Sequence, residues 1–260
     1  VDLHLDGKTA LVTGGSAGIG RAVALALVAE GCRVVVVGRD EARLAAMRAE
    51  VGADKLVTVV ADLATSAGAD KVAKTTIAQV GVPDILVNSA GSSQGGLFWT
   101  IDDTVWDESL NLKLMGTIRM LRAIVPLMME RRSGNVVTIV GNSGRQPGAR
   151  FLPGSAANAA LLAVTKGLAD EVAASGVVIN AISPGPTRTD RWTGLMAKAA
   201  SASSRTIADV EATHVAAIPN GRLSEPEEIA RYVVFLCSPL ATAATGTSLT
   251  IDGGATRSLA

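Results

Sequence analysis

Thr13-Gly14-Gly15-Ser16-Ala17-Gly18-Ile19-Gly20 stands between an apolar run, TALVT at residues 9–13, and a stretch rich in helix formers, RAVALALVAEG at residues 21–31. A glycine turn that joins a buried strand to a helix suits the pyrophosphate of a dinucleotide. Glycine permits the tight turn and lets the backbone approach the phosphates. The first helical N–H groups and the positive end of the helix dipole then face the anion. Gly14, Ser16, Gly18, Ile19 and Gly20 are therefore the first candidate binding residues.

Outward from this turn, short β-branched runs recur as RVVVV, KLVTVV, DILVN, NVVTIV, VVINAI and TSLTI, with Ala/Leu-rich stretches between most of them. Such alternation predicts a parallel sheet covered by helices on both faces. Thr100 with Asp103, and Ser224 with Glu227, have the spacing of helix-starting capping boxes. Residues 186–222 contain no strand signal and are expected to hold helical pieces that cover a site. Hydrophobic residues make up 48% of the 260, but aromatics only 3%, so the core must be Ala, Val, Leu and Ile. One domain over residues 1–260 accounts for this length.

Charge and cysteine content narrow the class. The 24 basic and 24 acidic residues are interspersed, which gives nucleic acid or an anionic membrane nothing to bind. Two cysteines, Cys32 and Cys237, and two histidines, His4 and His214, suggest neither a disulfide framework nor a metal site. No apolar run reaches the roughly 18 residues of a membrane span, and the first residues lack a signal-peptide pattern. A cytoplasmic protein with a small-molecule substrate is expected.

The spacing from Gly14 to Gly18 resembles the TGxxxGIG signature of the short-chain dehydrogenase/reductase family, and further resemblances follow in order along nearly the whole chain. Asp62-Leu63 follows the third strand, where the family places an acidic residue beside adenine. Asn88-Ser89-Ala90-Gly91 resembles its NNAG element. Pro184-Gly185, with Thr187 and Thr189, resembles the segment that holds the nicotinamide end, and Ile251-Asp252-Gly253-Gly254 resembles its closing VDGG. The resemblance implies a single-domain, doubly wound Rossmann fold with a seven-stranded parallel sheet. It also implies a homodimer or homotetramer formed through helices at about 101–130 and 156–175. At the end of the second strand Gly38 stands where an acidic residue would bind ribose hydroxyls, and Arg39 follows it. A guanidinium there suits a 2′-phosphate, which favours NADP(H), with NAD(H) as the other candidate.

The catalytic positions differ from the family pattern. The family uses an Asn, a Ser, and a Tyr and Lys spaced as YxxxK, in which Tyr supplies the proton and the cofactor the hydride. The matching positions here hold Lys113, Gly141, Gly154 and Asn158. Lys and Asn have exchanged places, so an ammonium from position 113 is expected to enter the pocket near Asn158 or the cofactor ribose. Tyr232, the only tyrosine, falls in a late helix and is expected in the core. Two functions are compatible with this pattern: an oxidoreductase for carbonyl and alcohol groups that works through Lys113 and Asn158, or a catalytically silent cofactor-binding protein.

Overall fold

The computed structural model describes residues 1–258. Seven strands are joined in parallel: β1 (Thr9–Thr13), β2 (Arg33–Gly38), β3 (Leu56–Val60), β4 (Ile85–Asn88), β5 (Gly134–Ile139), β6 (Val177–Pro184) and β7 (Ser248–Ile251). Their order across the sheet is β3-β2-β1-β4-β5-β6-β7. The direction of winding reverses between β1 and β4. At such a switch point the loops leaving the two strands part and leave a crevice at the carboxyl ends.

The strands are continuous β-branched runs because both of their faces are covered. Val12, Val34 and Val36 point to one face, where they meet Val23 of α1 (Gly18–Ala29), Leu44 of α2 (Glu41–Val51) and Val233 of α9 (Pro226–Cys237). Leu11, Val35 and Val37 point to the other face. There they pack with Val72 of α3 (Ser66–Val80), Ile124 of α5 (Gly116–Arg131) and Ala169 of α6 (Leu152–Val172). The remaining helices are α4 (Asp103–Ser109), which runs into α5, and two in the strandless segment, α7 (Asp190–Ser203) and α8 (Ile207–Ala216).

Three local expectations are corrected. Thr100 ends a 3-10 turn, its hydroxyl bonded to the Leu97 carbonyl, and α4 begins after Asp102. At α9 the reciprocal pair is Glu225 and Glu228, shifted by one residue: the Glu228 carboxylate accepts from the Glu225 N–H at 2.8 Å. Ser224 is drawn instead into a bridge with Thr187. Tyr232 is 44% exposed, because α9 buries Ile229, Ala230, Val233 and Val234 and turns position 232 outward. Cys32 and Cys237 are free buried thiols; burial, first among its causes, pushes Cys32 up to about 12 and raises Cys237 as well. Among the described residues no helix is long and apolar enough to cross a membrane.

Candidate active site

A cleft of about 560 Å³ opens at the switch point. Thr13 holds its two strand ends together: the hydroxyl accepts from the N–H groups of Ser89 and Ala90 at 3.1 and 3.2 Å. Gly14, at φ +63°, follows at once, and a Cβ there would lie 2.7 Å from the Ala90 backbone. Any side chain would wedge the two loops apart. Gly20 likewise has no room for a Cβ against the Gly14 carbonyl. The turn is thus packed from below and open from above, with Ser16, Gly18 and Ile19 on the cleft wall and α1 starting beneath it.

The cleft's first end lies beside β2. Gly38 lies against Ser16 of the glycine turn, where a Cβ would come within 2.7 Å of Ser16 Oγ, so an acidic side chain here would require Ser16 to shift. Arg39 is exposed on the wall. Beside it Arg43, which sequence reasoning missed, pairs with Asp40 at 3.3 Å and Asp190 at 3.4 Å. A basic residue four positions after Arg39, in the first turn of α2, was the available signal. Leu63, Ala90, Gly91 and Thr189 also line the cleft.

Other expected residues are off the wall. Asp62 accepts from the Ala64 N–H at 3.0 Å and shapes the turn after β3. Asn88 is buried, and neither atom of its amide has a protein partner. Pro184 ends β6, Gly185 packs against Asp252, and the Thr187 hydroxyl donates to the Gly185 carbonyl at 3.0 Å. Burial opposes ionisation of Asp252, but hydrogen bonds from Thr256, Asn142 and Gly254 outweigh it and hold the carboxyl below its usual range. His214 lies outside the cleft, its ring edge-on to Trp192.

The far end of the cleft is built by a widened helical turn. Between α4 and α5 the chain passes through a π-helical segment, Leu110–Met115. Side chains take up the carbonyls this leaves poorly paired: Thr117 Oγ1 donates to Lys113 O at 2.8 Å and Arg119 Nη1 to Asn111 O at 3.2 Å. Such insertions commonly re-aim a residue at a functional site. Here Lys113 crosses the face of Gly91, half-buried on the cleft wall, and Nζ donates to the Val140 carbonyl at 2.8 Å. Burial first, and then the charge of Arg191, lower the Lys113 pKa to about 7.

Asn158 is placed differently. It is buried on α6, off the cleft wall, and its Nδ2 donates to Ser143 Oγ at 2.8 Å. Gly141, at φ +96°, lies against it: a Cβ at 141 would be 2.9 Å from Asn158 Nδ2. No hydrogen bond joins Lys113 to Asn158 among the described residues. Gly154 faces the ring of Phe151, which fills the space a side chain at 154 would need. On that ring packs Arg191, also missed from sequence, its guanidinium carbon 5.8 Å from the ring centroid and Nη2 donating to the Ser93 carbonyl at 3.5 Å.

A family model described as short chain dehydrogenase matches residues 8–200. The 3-oxoacyl-acyl-carrier-protein reductase of Vibrio harveyi is 37% identical over 257 residues, covering 97% of this chain and 98% of its own. Among solved structures, the L-sorbose reductase of Gluconobacter frateurii, complexed with NADPH and L-sorbose, superposes over the full length of both chains with a TM-score of 0.93 at 30% identity. An actinorhodin polyketide ketoreductase with NADPH gives 0.93 at 28% identity, over 98% of this chain and 99% of its own.

Proposed function

This chain belongs to the short-chain dehydrogenase/reductase family, and from that premise we propose that it is an NADP(H)-dependent oxidoreductase of carbonyl and alcohol groups whose proton-transfer residue is Lys113. In this reading Lys113, Gly141, Gly154 and Asn158 replace the family's Asn, Ser, Tyr and Lys. The cleft fits the cofactor: the glycine turn lies open on the cleft wall, packed from beneath against Ala90 so closely that a Cβ at Gly14 would wedge the loops apart, and α1 begins at its floor. The turn and the first N–H groups of α1 hold the pyrophosphate, and Arg39, with Arg43 beside it, meets the 2′-phosphate. The two NADPH-bound structural relatives support the same choice. Leu63 serves the adenine end, with Asp62 behind it shaping the turn after β3. Asn88, Ala90 and Gly91 back the cleft, while Pro184, Gly185, Thr187 and Thr189 support the nicotinamide end. When bound, the nicotinamide supplies or accepts the hydride.

The protein's own part is the proton. In reduction the Lys113 ammonium gives a proton to the carbonyl oxygen as the carbon gains hydride, and an amine remains. In oxidation the amine takes the hydroxyl proton as the hydride leaves. Val140 O uses one of the three N–H bonds of the ammonium and fixes its position; the others can face substrate. Asn158 acts indirectly, pinning the loop after β5 through Ser143.

The observation that carries this reading is the half-buried Lys113 amine on the cleft wall, fixed on the Val140 carbonyl at 2.8 Å. Burial, with the charge of Arg191, brings its pKa down to about 7, where a general acid and base is most useful. NADPH oxidation across a carbonyl panel tests it. Lys113→Met is expected to lose ~10²-fold or more of the rate, the usual scale for one general acid, while NADPH still raises its melting temperature. Robust turnover by Lys113→Met would overturn it. The filled space beside Gly154 favours a second reading, a silent cofactor-binding protein, for which a strong NADPH-dependent thermal shift without any turnover is the signature.

A further inference from the structure

We propose that the carbonyl substrate is an oxo acid, its carboxylate held by Arg191 and its carbonyl oxygen directed at Lys113; this rests on the oxidoreductase reading above. Arg191 lies in the first turn of α7 and opens onto the same cleft as Lys113. Among the described residues no carboxylate lies within ion-pair distance of either cation. Neighbouring arginines are otherwise placed: Arg43 has Asp40 and Asp190, Arg188 has Glu211 and Glu225, and Arg222 has Glu228.

Both cations line one cleft, where the charge of Arg191 depresses the basicity of Lys113; Arg191 itself is exposed at the cleft, and the protein on its other side lowers its own pKa. Two like charges facing one cleft repel each other, and a bound anion relieves both. The guanidinium is placed from two sides, by the Phe151 ring 5.8 Å below its carbon and by the Ser93 carbonyl, and its fork matches a carboxylate. Phe151 takes that place only because position 154 has no side chain. The bare glycine therefore does more than remove a phenol: it makes room for the ring that supports the cation.

The cofactor's phosphates are the other source of anionic oxygen. Arg39 follows β2, whereas Lys113 is tied to the end of β5, three strand positions away, or about 14 Å at ~4.8 Å per strand. The Arg39 and Lys113 ends are thus separate, but the glycine turn that would hold the pyrophosphate follows β1, between them, so the test must distinguish cofactor from substrate.

The protein saturated with NADP+ is titrated calorimetrically with 2-oxobutyrate, acetoacetate and 2-oxoglutarate, and with the methyl ester of each. At least one acid is expected to bind tenfold or more tightly than its ester. Arg191→Gln should abolish that difference and Arg191→Lys retain part of it, with the Kd for NADP+ within twofold of wild type in both. Acids and esters that bind alike overturn the proposal, and this comparison needs only the wild-type protein. So does an Arg191→Gln protein that loses NADP+ affinity yet keeps its preference for acids, because the guanidinium then serves a cofactor phosphate. An acid preference with no NADPH oxidation by any of the acids would instead support the anion site and overturn the oxidoreductase reading.

Discussion

Lys113 is placed where burial and a neighbouring guanidinium both oppose its charge, and two independent pH dependences follow. In the folded protein its proton is lost near pH 7; in the unfolded chain it is held to about 10.5. Between those values the unfolded state binds more protons, so the stability of the native protein rises with pH across that window, and the penalty is full below 7. Lys113→Met should therefore be more stable than wild type at pH 6, by an amount that shrinks towards pH 10, as urea denaturation at the two pH values would measure. Catalysis runs the other way for its two directions. With Lys113 as the proposed acid and base, carbonyl reduction should fall as pH rises through 7 and alcohol oxidation should rise, and a reduction rate that is flat from pH 6 to 9 would exclude Lys113 as the acid. Arg39 makes a separate prediction. One charge-assisted phosphate contact is worth ~1 to 3 kcal/mol, so Arg39→Ala should lose roughly five- to 150-fold of any NADP+ over NAD+ preference, read as the ratio of the two Kd values. Equal Kd values in the wild type would remove the preference altogether.

At the scale of elements, Gly141 and Asn158 form a packing unit. Gly141 is at φ +96°, a region a serine enters only with strain of about 1–3 kcal/mol, and its missing Cβ leaves room for the Asn158 amide. Gly141→Ser should thus destabilise the protein by at least that much. Adding Asn158→Ala should relieve the steric part and leave the backbone part, which a double-mutant cycle separates; simple additivity would show that the two residues do not share the space. This coupling also marks the limit of what the residues alone could reveal. Buried parallel strands must be continuous β-branched runs, so TALVT, RVVVV and their successors were legible, and the glycine turn followed from its place between strand and helix. The π-helical turn at Leu110–Met115 was not, since an inserted residue leaves the apolar pattern almost unchanged. Arg43 and Arg191 were hidden for another reason: their neighbours, Asp190 and Phe151, come from distant parts of the chain and meet only in the fold. Cap positions slipped by one or two residues because Asp102 and Glu225 competed with equally plausible neighbours at the helix starts.

For the whole molecule, two surfaces bear on assembly. On α6 the outward residues Ala156, Ala159, Ala163 and Gly167 are exposed and small, spaced to lie along one helical face. A second copy of the helix could approach such a face closely. At the sheet's end, β7 is an edge strand with Leu249 exposed, and Tyr232, Phe235 and Leu240 are exposed nearby in sequence on α9 and the turn after it. Edges and apolar surface left open invite association, and evolution usually covers them or charges them. Among the described residues Arg145 bonds the Ser248 carbonyl of β7, but the exposed Leu249, Tyr232, Phe235 and Leu240 remain open, which supports a homodimer through one surface or a homotetramer through both. Gly167 offers a clean test because a Cβ added there meets nothing within its own protomer. Gly167→Arg is expected to fold with an unchanged melting profile at low concentration yet to sediment at half the wild-type mass or less at micromolar concentration. A wild-type protein that sediments as a monomer at that concentration would exclude the assembly, and an arginine at 167 that leaves the mass unchanged would move the interface from α6 to the β7 edge.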